Sequence, residues 1–512
     1  MYLVIFIGLL MIFVVWHRAY QIVHDIKLLF FDSRYDSGND ECQITEWPTI
    51  AFIIPSCHEP FSVSKMTFDS IVRAPYRGKK EIIVVDNSKD KATEDFRCWK
   101  AYVESYSLIH FDSGISTIFL YNEEKGTLKP GNLDLGQKSF FESKYVVILD
   151  VDSTIPDNEP LLERSIADFE TDDSLGFIQY RIRATNGHFN SLTNALAVSQ
   201  DLLRLRMISR GYGGYKIFEG HNGMWRKSVL DDIGCWTEYY KGNIIVTEDI
   251  LKSAHAYAAG YYGKSLNIVT GEWVPCSLKA LESMWMRWMY GNCQVFFKSF
   301  KKIYSKKLTL IEKIDISYHI THHLVTFCFL FVVCLLQWTV QGPFANFFII
   351  TIGIIPQFIA ATISYFVSVR KMKLPLIRKL QVLYAGFFMI ETFIMYAQVR
   401  SDINFMLGVP QGWKVTEKGL ETRVGWKATI LNNSFYFTIA IFCIVFCFLS
   451  WVIHYNMAIH AISYHLALLF GNVNLLLCLI LFRKERRTED NTTESAAINC
   501  DNPVEILQPV NF

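Results

Sequence analysis

Carboxylates recur along this 512-residue chain at positions where they could do chemistry. Asp86 closes the run Ile82-Ile83-Val84-Val85. Asp150-Val151-Asp152 follows the apolar run Tyr145 to Leu149. Thr247-Glu248-Asp249 opens a helix-like stretch. In extended geometry Asp150 and Asp152 flank Val151 and point the same way, so both can reach one ion. Two carboxylate oxygens suit a hard divalent cation on a diphosphate. A strand-end aspartate such as Asp86 can accept hydrogen bonds from a base or ribose. Asp249 could remove a proton from a hydroxyl. Thr247 could equally cap a helix, with Glu248 and Asp249 complementing its dipole.

Further groups accompany them. Lys129-Pro130-Gly131-Asn132-Leu133 sets a cation beside backbone that a ligand can approach. Gly220, Gly223 and Trp225 read as a small-residue turn that could wall an acceptor site. Arg287-Trp288 joins a fork-shaped cation to a flat ring, fit for a diphosphate and a sugar face. Trp285 and Trp288 would also serve as plain membrane-surface anchors.

Elements must hold these residues in place. Short β-branched runs (Thr49 to Ile54, Ile82 to Val85, Thr117 to Leu120, Tyr145 to Leu149, Leu175 to Tyr180) alternate with helix-like stretches between 42 and 276. That order predicts a largely parallel sheet covered by helices, with ligands at the carboxyl ends of its strands. The rest is membrane-like. The chain is 51% hydrophobic and 19% charged, with mean hydropathy +0.20, too apolar for a wholly soluble protein. A net charge of +1 gives no bias toward nucleic acid. Twelve scattered cysteines without a CxxC pair read as reduced and structural.

Residues 1–24 predict an uncleaved anchor. Residues 277–316 predict amphipathic helices whose lysines lie on an anionic lipid face. Hairpins of spans are expected at 317–368 and 431–482. Between them, 369–430 is expected to hold an interfacial helix. A crossing at Leu380 to Arg400 would export the basic tail, so five full spans are expected, with a sixth left open by Glu391. The polar tail 483–512 is expected to be disordered and cytoplasmic.

The order Asp86, Asp150-Val151-Asp152, Thr247-Glu248-Asp249, Arg287-Trp288 resembles the D, DxD, TED and QxxRW motifs of the family-2 processive glycosyltransferases. Cellulose, mannan, curdlan and hyaluronan synthases belong there. Lys129 to Leu133 looks like the KAGNL-type element. Trp413-Lys414-Val415-Thr416-Glu417-Lys418-Gly419 looks like the FxVTxKG gating loop of the cellulose branch. The resemblance covers about Ile50 to Gly419.

It implies a GT-A α/β catalytic domain in the cytoplasm, joined to a helical transmembrane region of the plasma membrane. It also implies a UDP-sugar donor (UDP-glucose in a glucan synthase), a growing polysaccharide acceptor, and Mg²⁺ or Mn²⁺. Glu59 and Asp86 would hold the nucleotide, with Lys129, and Asp150 with Asp152 the metal-diphosphate. Asp249 would be the base, with Glu248 beside it. Arg287 would hold the diphosphate, and Trp288 would position the acceptor. Thr416 and Lys418 would close over the nucleotide, and the product would be a β-linked exopolysaccharide or capsule. A non-processive enzyme acting on a lipid acceptor, as ceramide glucosyltransferases do, is the alternative.

Two positions depart from the pattern. Met284 stands for the Gln of QxxRW and cannot supply its amide hydrogen bonds. Cys57-His58-Glu59 lacks the aromatic ring of the YNE-like element. Five spans are also fewer than in cellulose synthase, which leaves room for an accessory subunit or a homo-oligomer.

Overall fold

The computed structural model describes residues 2–30, 44–109, 114–124, 126–140, 142–209, 214–339, 350–411, 426–453 and 462–482. Thr416, Lys418 and the rest of the loop-like segment 413–419 lie outside them, as does the tail 483–512.

The continuous apolar runs become strands because both faces of the sheet are covered. β1 (Ile50–Ser56) and β2 (Lys80–Asp86) carry scarcely a solvent-facing position. β3 (Ile115–Tyr121), β4 (Tyr145–Ile148), β5 (Leu175–Ala184), β6 (Gly223–Arg226) and, after the small hairpin β7 (Tyr239–Tyr240) and β8 (Asn243–Ile244), β9 (Tyr262–Glu272) complete the set. The main sheet has seven strands in the order β3-β2-β1-β4-β6-β5-β9. β1 to β4 are mutually parallel, and β6 runs antiparallel to β4 and β5. Register pairs Ser56 with Asp86 and Asp86 with Tyr121. The strand ends therefore form one carboxyl-end rim, as the parallel order requires.

Alternate residues of each strand feed two cores. Ile50, Phe52 and Ile54 face α2 (Phe61–Arg73), α3 (Glu94–Ile109) and α5 (Leu161–Thr171). Ala51, Ile53, Ile83 and Val85 face the side that holds α4 (Leu128–Lys138) and α8 (Glu248–Ala259). α6 (Ser191–Ser209) and α7 (Lys227–Ile233) link the later strands.

Membrane-like helices pack below this layer. α9 (Leu278–Ile303) and α10 (Leu310–Thr339) send Val295, Ile303, Ile316 and Ile320 into the second core. α9 shares a third core with α12 (Leu376–Met406), α14 (Ser434–Ile453) and α15 (Ile462–Leu481), to which Leu281, Trp285, Phe393, Tyr436 and Leu479 contribute. α1 (Tyr2–Leu29), α11 (Ile350–Val367) and α13 (Trp426–Asn432) complete the described helices.

α1 (from Ile5), α11 and α12 are long and apolar enough to cross a membrane. α13 and the following helix would make a fourth span bent by 83°. The bend falls at Asn432-Asn433, where two poor helix formers meet. α12 is a 31-residue helix with a π segment at Ala385–Ile390. It has crossing length where the sequence suggested a shorter interfacial helix. Glu391 follows the π segment and lines an internal cavity.

Two expectations are corrected here. Trp225 does not wall an acceptor site: it lies in β6, fully buried among Phe177, Phe218 and Trp236. A four-residue strand that opens on Gly223 soon after Gly220 has the look of a turn in sequence. Cys98 on α3 is disulfide-bonded, so the cysteines are not all reduced. Pairing needs two thiols close in space, which spacing alone does not reveal.

Candidate active site

One group of the candidate residues lies at the tips of β1 and β2. Asp86 is 2% exposed. Its Oδ1 accepts the Ser88 amide at 2.7 Å. Burial holds its carboxyl above the ordinary value, opposed by hydrogen bonds from Ser88 and Ser56. Glu59 stands near it: burial, then the Asp86 and Glu59 charges, push the Cys57 thiol up to about 11. His58 has φ +54, and its Nε2 accepts the Lys89 amide at 3.0 Å, so the Cys57-His58-Glu59 turn is tied to the turn after β2.

Sequence reasoning missed Tyr121. It ends β3 beside Asp86, donates to the Ser88 carbonyl at 2.8 Å and carries Lys91 3.3 Å above its ring. An aromatic from a neighbouring strand thus borders a region whose expected ring is absent from the first strand. Its place directly after the run Thr117 to Leu120, as Asp86 follows Ile82 to Val85, was the available signal.

Lys129 and its neighbours form the first turn of α4, where Pro130 is tolerated. A methyl on Gly131 would meet Thr127 Oγ1 at 2.1 Å, so the turn closes only with glycine. Asn132 donates to the carbonyls of Ser56 (3.3 Å) and Val85 (3.1 Å), stapling α4 to both strand ends.

The other group lines a cavity of about 140 Å³: Lys129, Asp150, Asp152, Glu248, Asp249, Arg287 and Trp288, with Met284 and His221. The structure brings these predicted residues together. Asp150 and Asp152 follow β4 and face this cavity, with Asp152 7% exposed. Lys129 Nζ lies 2.6 Å from Asp150 Oδ1. Burial works against the Lys129 ammonium, but Asp150, Glu248 and Asp249 hold its pKa above the ordinary value. This acidic pocket already draws a cation, and its hard oxygen donors fit Mg²⁺ or Mn²⁺.

Glu248 and Asp249 occupy the first turn of α8. Burial, then the Asp249 charge, push Glu248 up to about 7, with Lys129 and Arg287 opposing. Burial also raises Asp249, against its hydrogen bond from the Ile250 amide (2.9 Å) and the charges of Lys129 and His221. Gly220, at φ +87, is pressed against this carboxylate: a Cβ there would lie 3.1 Å from Asp249 Oδ2. Thr247 sits at the N-cap position but makes no side-chain cap hydrogen bond, which corrects the capping expectation. Its side chain instead packs on Gly291 of α9, where a Cβ would meet Thr247 Cγ2 at 2.4 Å.

Arg287 and Trp288 project from α9 into the cavity. Burial lowers the guanidinium pKa, opposed by Glu248, Asp150 and Asp249, and Arg287 stays charged. Trp288 meets Trp285 edge-on at 5.2 Å. Sequence reasoning also missed His221 and Glu272, which line the cavity with His221 Nε2 3.1 Å from Glu272 Oε2. Gly220 at φ +87 and Asn222 at φ +52 flank that histidine. The polar run Glu219-Gly220-His221-Asn222 between apolar neighbours was the signal for it.

A second, larger cavity of about 390 Å³ begins where the first ends. Glu219, His221, Thr247, Asp249 and Trp288 line both. It continues among the membrane-like helices past Arg18, Tyr318, His322, Gln357, Glu391, Tyr396 and Asn472.

A buried mixed sheet with acidic residues at its carboxyl rim, facing carboxylates and an arginine on helices across a cleft, is the GT-A-like arrangement of glycosyltransferases. The chain carries glycosyl transferase family 2 domains: residues 51–234 match the model of glycosyl transferase family 2, and residues 145–369 that of glycosyl transferase family group 2. It is similar to glucomannan 4-beta-mannosyltransferase 1 of Oryza sativa subsp. japonica, 24% identical over 302 residues (56% of this chain, 55% of the relative). Glucomannan 4-beta-mannosyltransferase 7 of Arabidopsis thaliana is 24% identical over 304 residues (56% and 52%). The chain thus spans about half the length of the curated relatives it matches. Its fold is similar to that of mannosyltransferase PcManGT from Pyrobaculum calidifontis, solved with GDP-Man and Mn²⁺. The TM-score is 0.50 and the identity 15%, over 78% of this chain and 99% of that one.

Proposed function

We propose that this family-2 glycosyltransferase is a processive, inverting hexosyltransferase. It builds a β-linked exopolysaccharide from a nucleotide-activated hexose and passes it across the plasma membrane, with the catalytic domain in the cytoplasm. One observation carries this reading: Asp249 and Trp288 line both the transfer cavity and the larger cavity among the membrane-like helices. That cavity holds Arg18, Gln357, Glu391 and Asn472, groups costly to bury against lipid but suited to a hydroxyl-rich chain.

Each residue then has a task. Asp86 and Glu59 bind the nucleoside. Asp150 and Asp152 would hold a divalent ion on the donor diphosphate, with Lys129 and Arg287 adding charge to the same group. When bound, that ion neutralises the leaving diphosphate. Asp249 takes the proton from the acceptor hydroxyl as the hydroxyl oxygen attacks the anomeric carbon. Trp288 stacks on the acceptor sugar and orients that hydroxyl. Thr416 and Lys418 would close over the nucleotide. The growing chain would occupy the larger cavity while lipid surrounds the helical region, and an accessory subunit or second copy would extend the export path.

UDP-glucose is the first donor to test. The two plant relatives are named as mannosyltransferases, which favours a mannose donor as the second reading. The test offers purified protein UDP-glucose and GDP-mannose in turn, with Mg²⁺ or Mn²⁺, and sizes the labelled product. A high-molecular-weight polymer from one donor supports the proposal. Single-sugar lipid as the sole product replaces it with the lipid-acceptor reading.

A further inference from the structure

Three side chains outside the transfer site converge where α9 meets the membrane-like helices. Cys293 comes from α9, His323 from α10 and Asp402 from α12. Each offers one ligand atom, and these atoms lie within 4.8 Å of one another. All three residues are buried: Cys293 is 8% exposed, Asp402 2% and His323 fully enclosed. Nothing in the sugar-transfer chemistry uses them.

The cluster's hydrogen bonding is incomplete. His323 Nδ1 and Asp402 Oδ1 are 2.6 Å apart. The other polar atom of each, His323 Nε2 and Asp402 Oδ2, is buried with no hydrogen-bond partner among the described residues. Buried polar atoms are normally satisfied, and orphans call for an ion or water. Here two of the three clustered residues each carry such an orphan.

We infer that Cys293, His323 and Asp402 bind a zinc ion. The donor set decides the metal. Sulfur and imidazole nitrogen with one carboxylate oxygen suit zinc, whereas Mg²⁺ and Mn²⁺ favour all-oxygen sites such as Asp150 with Asp152. Zinc–ligand bonds run about 2.0–2.3 Å, so small side-chain rotations draw atoms within 4.8 Å onto one ion. Charge also balances. A dication offsets one thiolate and one carboxylate in a setting where either alone is costly. Binding releases the Cys293 thiol proton to solvent.

The placement gives the ion a task. Arg287 and Trp288 stand earlier on the helix that carries Cys293. Zinc would fasten that helix to α10 and α12, so the acceptor tryptophan keeps a constant position relative to the larger cavity. Ser401 Oγ already donates to the Met286 carbonyl at 2.7 Å on the same contact.

The test uses the full chain in detergent, purified through a tag without histidines. Elemental analysis after incubation with zinc and desalting should give about one zinc per chain. Asp152→Ala should keep that zinc, because it alters only the oxygen site. Cys293→Ser should retain roughly a tenth or less. Cobalt-loaded wild type should show a thiolate-to-cobalt charge-transfer absorption, a readout that does not depend on any variant folding. Wild type without bound zinc and without that absorption overturns the inference. So does unchanged zinc in a folded Cys293→Ser protein.

Discussion

Lys129 Nζ lies 2.6 Å from Asp150 Oδ1, so the carboxylate proposed to carry the metal already has a positive partner. On the proposed mechanism an incoming divalent ion and this ammonium would compete for one oxygen, while both would attract the donor diphosphate. Lys129→Ala should therefore split two constants. The Mn²⁺ concentration for half-maximal rate should fall severalfold, and KM for the donor should rise about tenfold. Metal titrations and donor saturation curves measure the two separately. Movement of both constants in the same direction would exclude the competition.

Asp249 is the proposed base, and it must be ionised to act. Burial raises its pKa, so the acid limb of kcat should lie above the ordinary carboxylate range. Asp249→Asn should lower kcat by about 10²–10⁴-fold while donor affinity changes little. Lys129 opposes the raised pKa, so in Lys129→Ala the acid limb should move to still higher pH. Rate-against-pH profiles for the wild type and this variant check the sign. Donor binding by calorimetry checks that Asp249→Asn still takes up nucleotide.

Gly220 bears on the same base from the opposite wall. Its φ of +87 suits glycine, and a methyl there would lie 3.1 Å from Asp249 Oδ2. Gly220→Ala should lower kcat by about tenfold or more through displacement of the carboxylate, with a stability loss of about 1–2 kcal/mol. Turnover and thermal unfolding in detergent measure the two effects. An alanine variant with full kcat would mean that the base tolerates movement.

Much of this site was legible in sequence, for a physical reason. Asp86 and Asp150 follow runs buried on both faces, and such runs announce strand ends and hence the ligand rim. Glu248-Asp249 and Arg287-Trp288 are adjacent pairs on helices, so their order survives folding as proximity. What was lost depends on approach between distant segments. His221 meets Glu272 only because β6 and β9 flank β5 in the sheet. Gly220 matters only because α8 brings Asp249 against it. Trp225 read as a turn residue because a four-residue strand is too short to show alternation. Thr247 was legible as an N-cap position, but its side chain faces another helix.

Glu248 offers a test by stability. Its folded pKa of about 7 lies above the ordinary carboxylate value of 4.5. Between those values the folded state keeps a proton that the unfolded state has released. Stability therefore falls as pH rises through this window, and the penalty is complete above it. Glu248→Gln removes the penalty. In nucleotide-free protein the variant should gain little at pH 4.5 and about 1–3 kcal/mol at pH 8. Melting curves at the two pH values give the comparison. A gain that shrinks toward pH 8 would mean that Glu248 is stabilised as its anion.

The contact of Thr247 with Gly291 joins the helix of the base to the helix of Arg287 and Trp288. A Cβ at position 291 would meet Thr247 Cγ2 at 2.4 Å, Oγ1 at 2.5 Å and Cβ at 2.9 Å. Neither helix can yield easily, because both are packed into buried cores. Gly291→Ala should push α9 away from α8 and lower kcat/KM by about 10–100-fold. Thr247→Ala alone should cost little, since the hydroxyl it removes is buried without a hydrogen-bond partner among the described residues. In the double variant two of the three clashing atoms are gone, so activity should recover in part, to within about tenfold of wild type. The double-mutant cycle reads this coupling directly. Additive losses would show that the two helices are positioned by contacts elsewhere and that Thr247 is not their spacer.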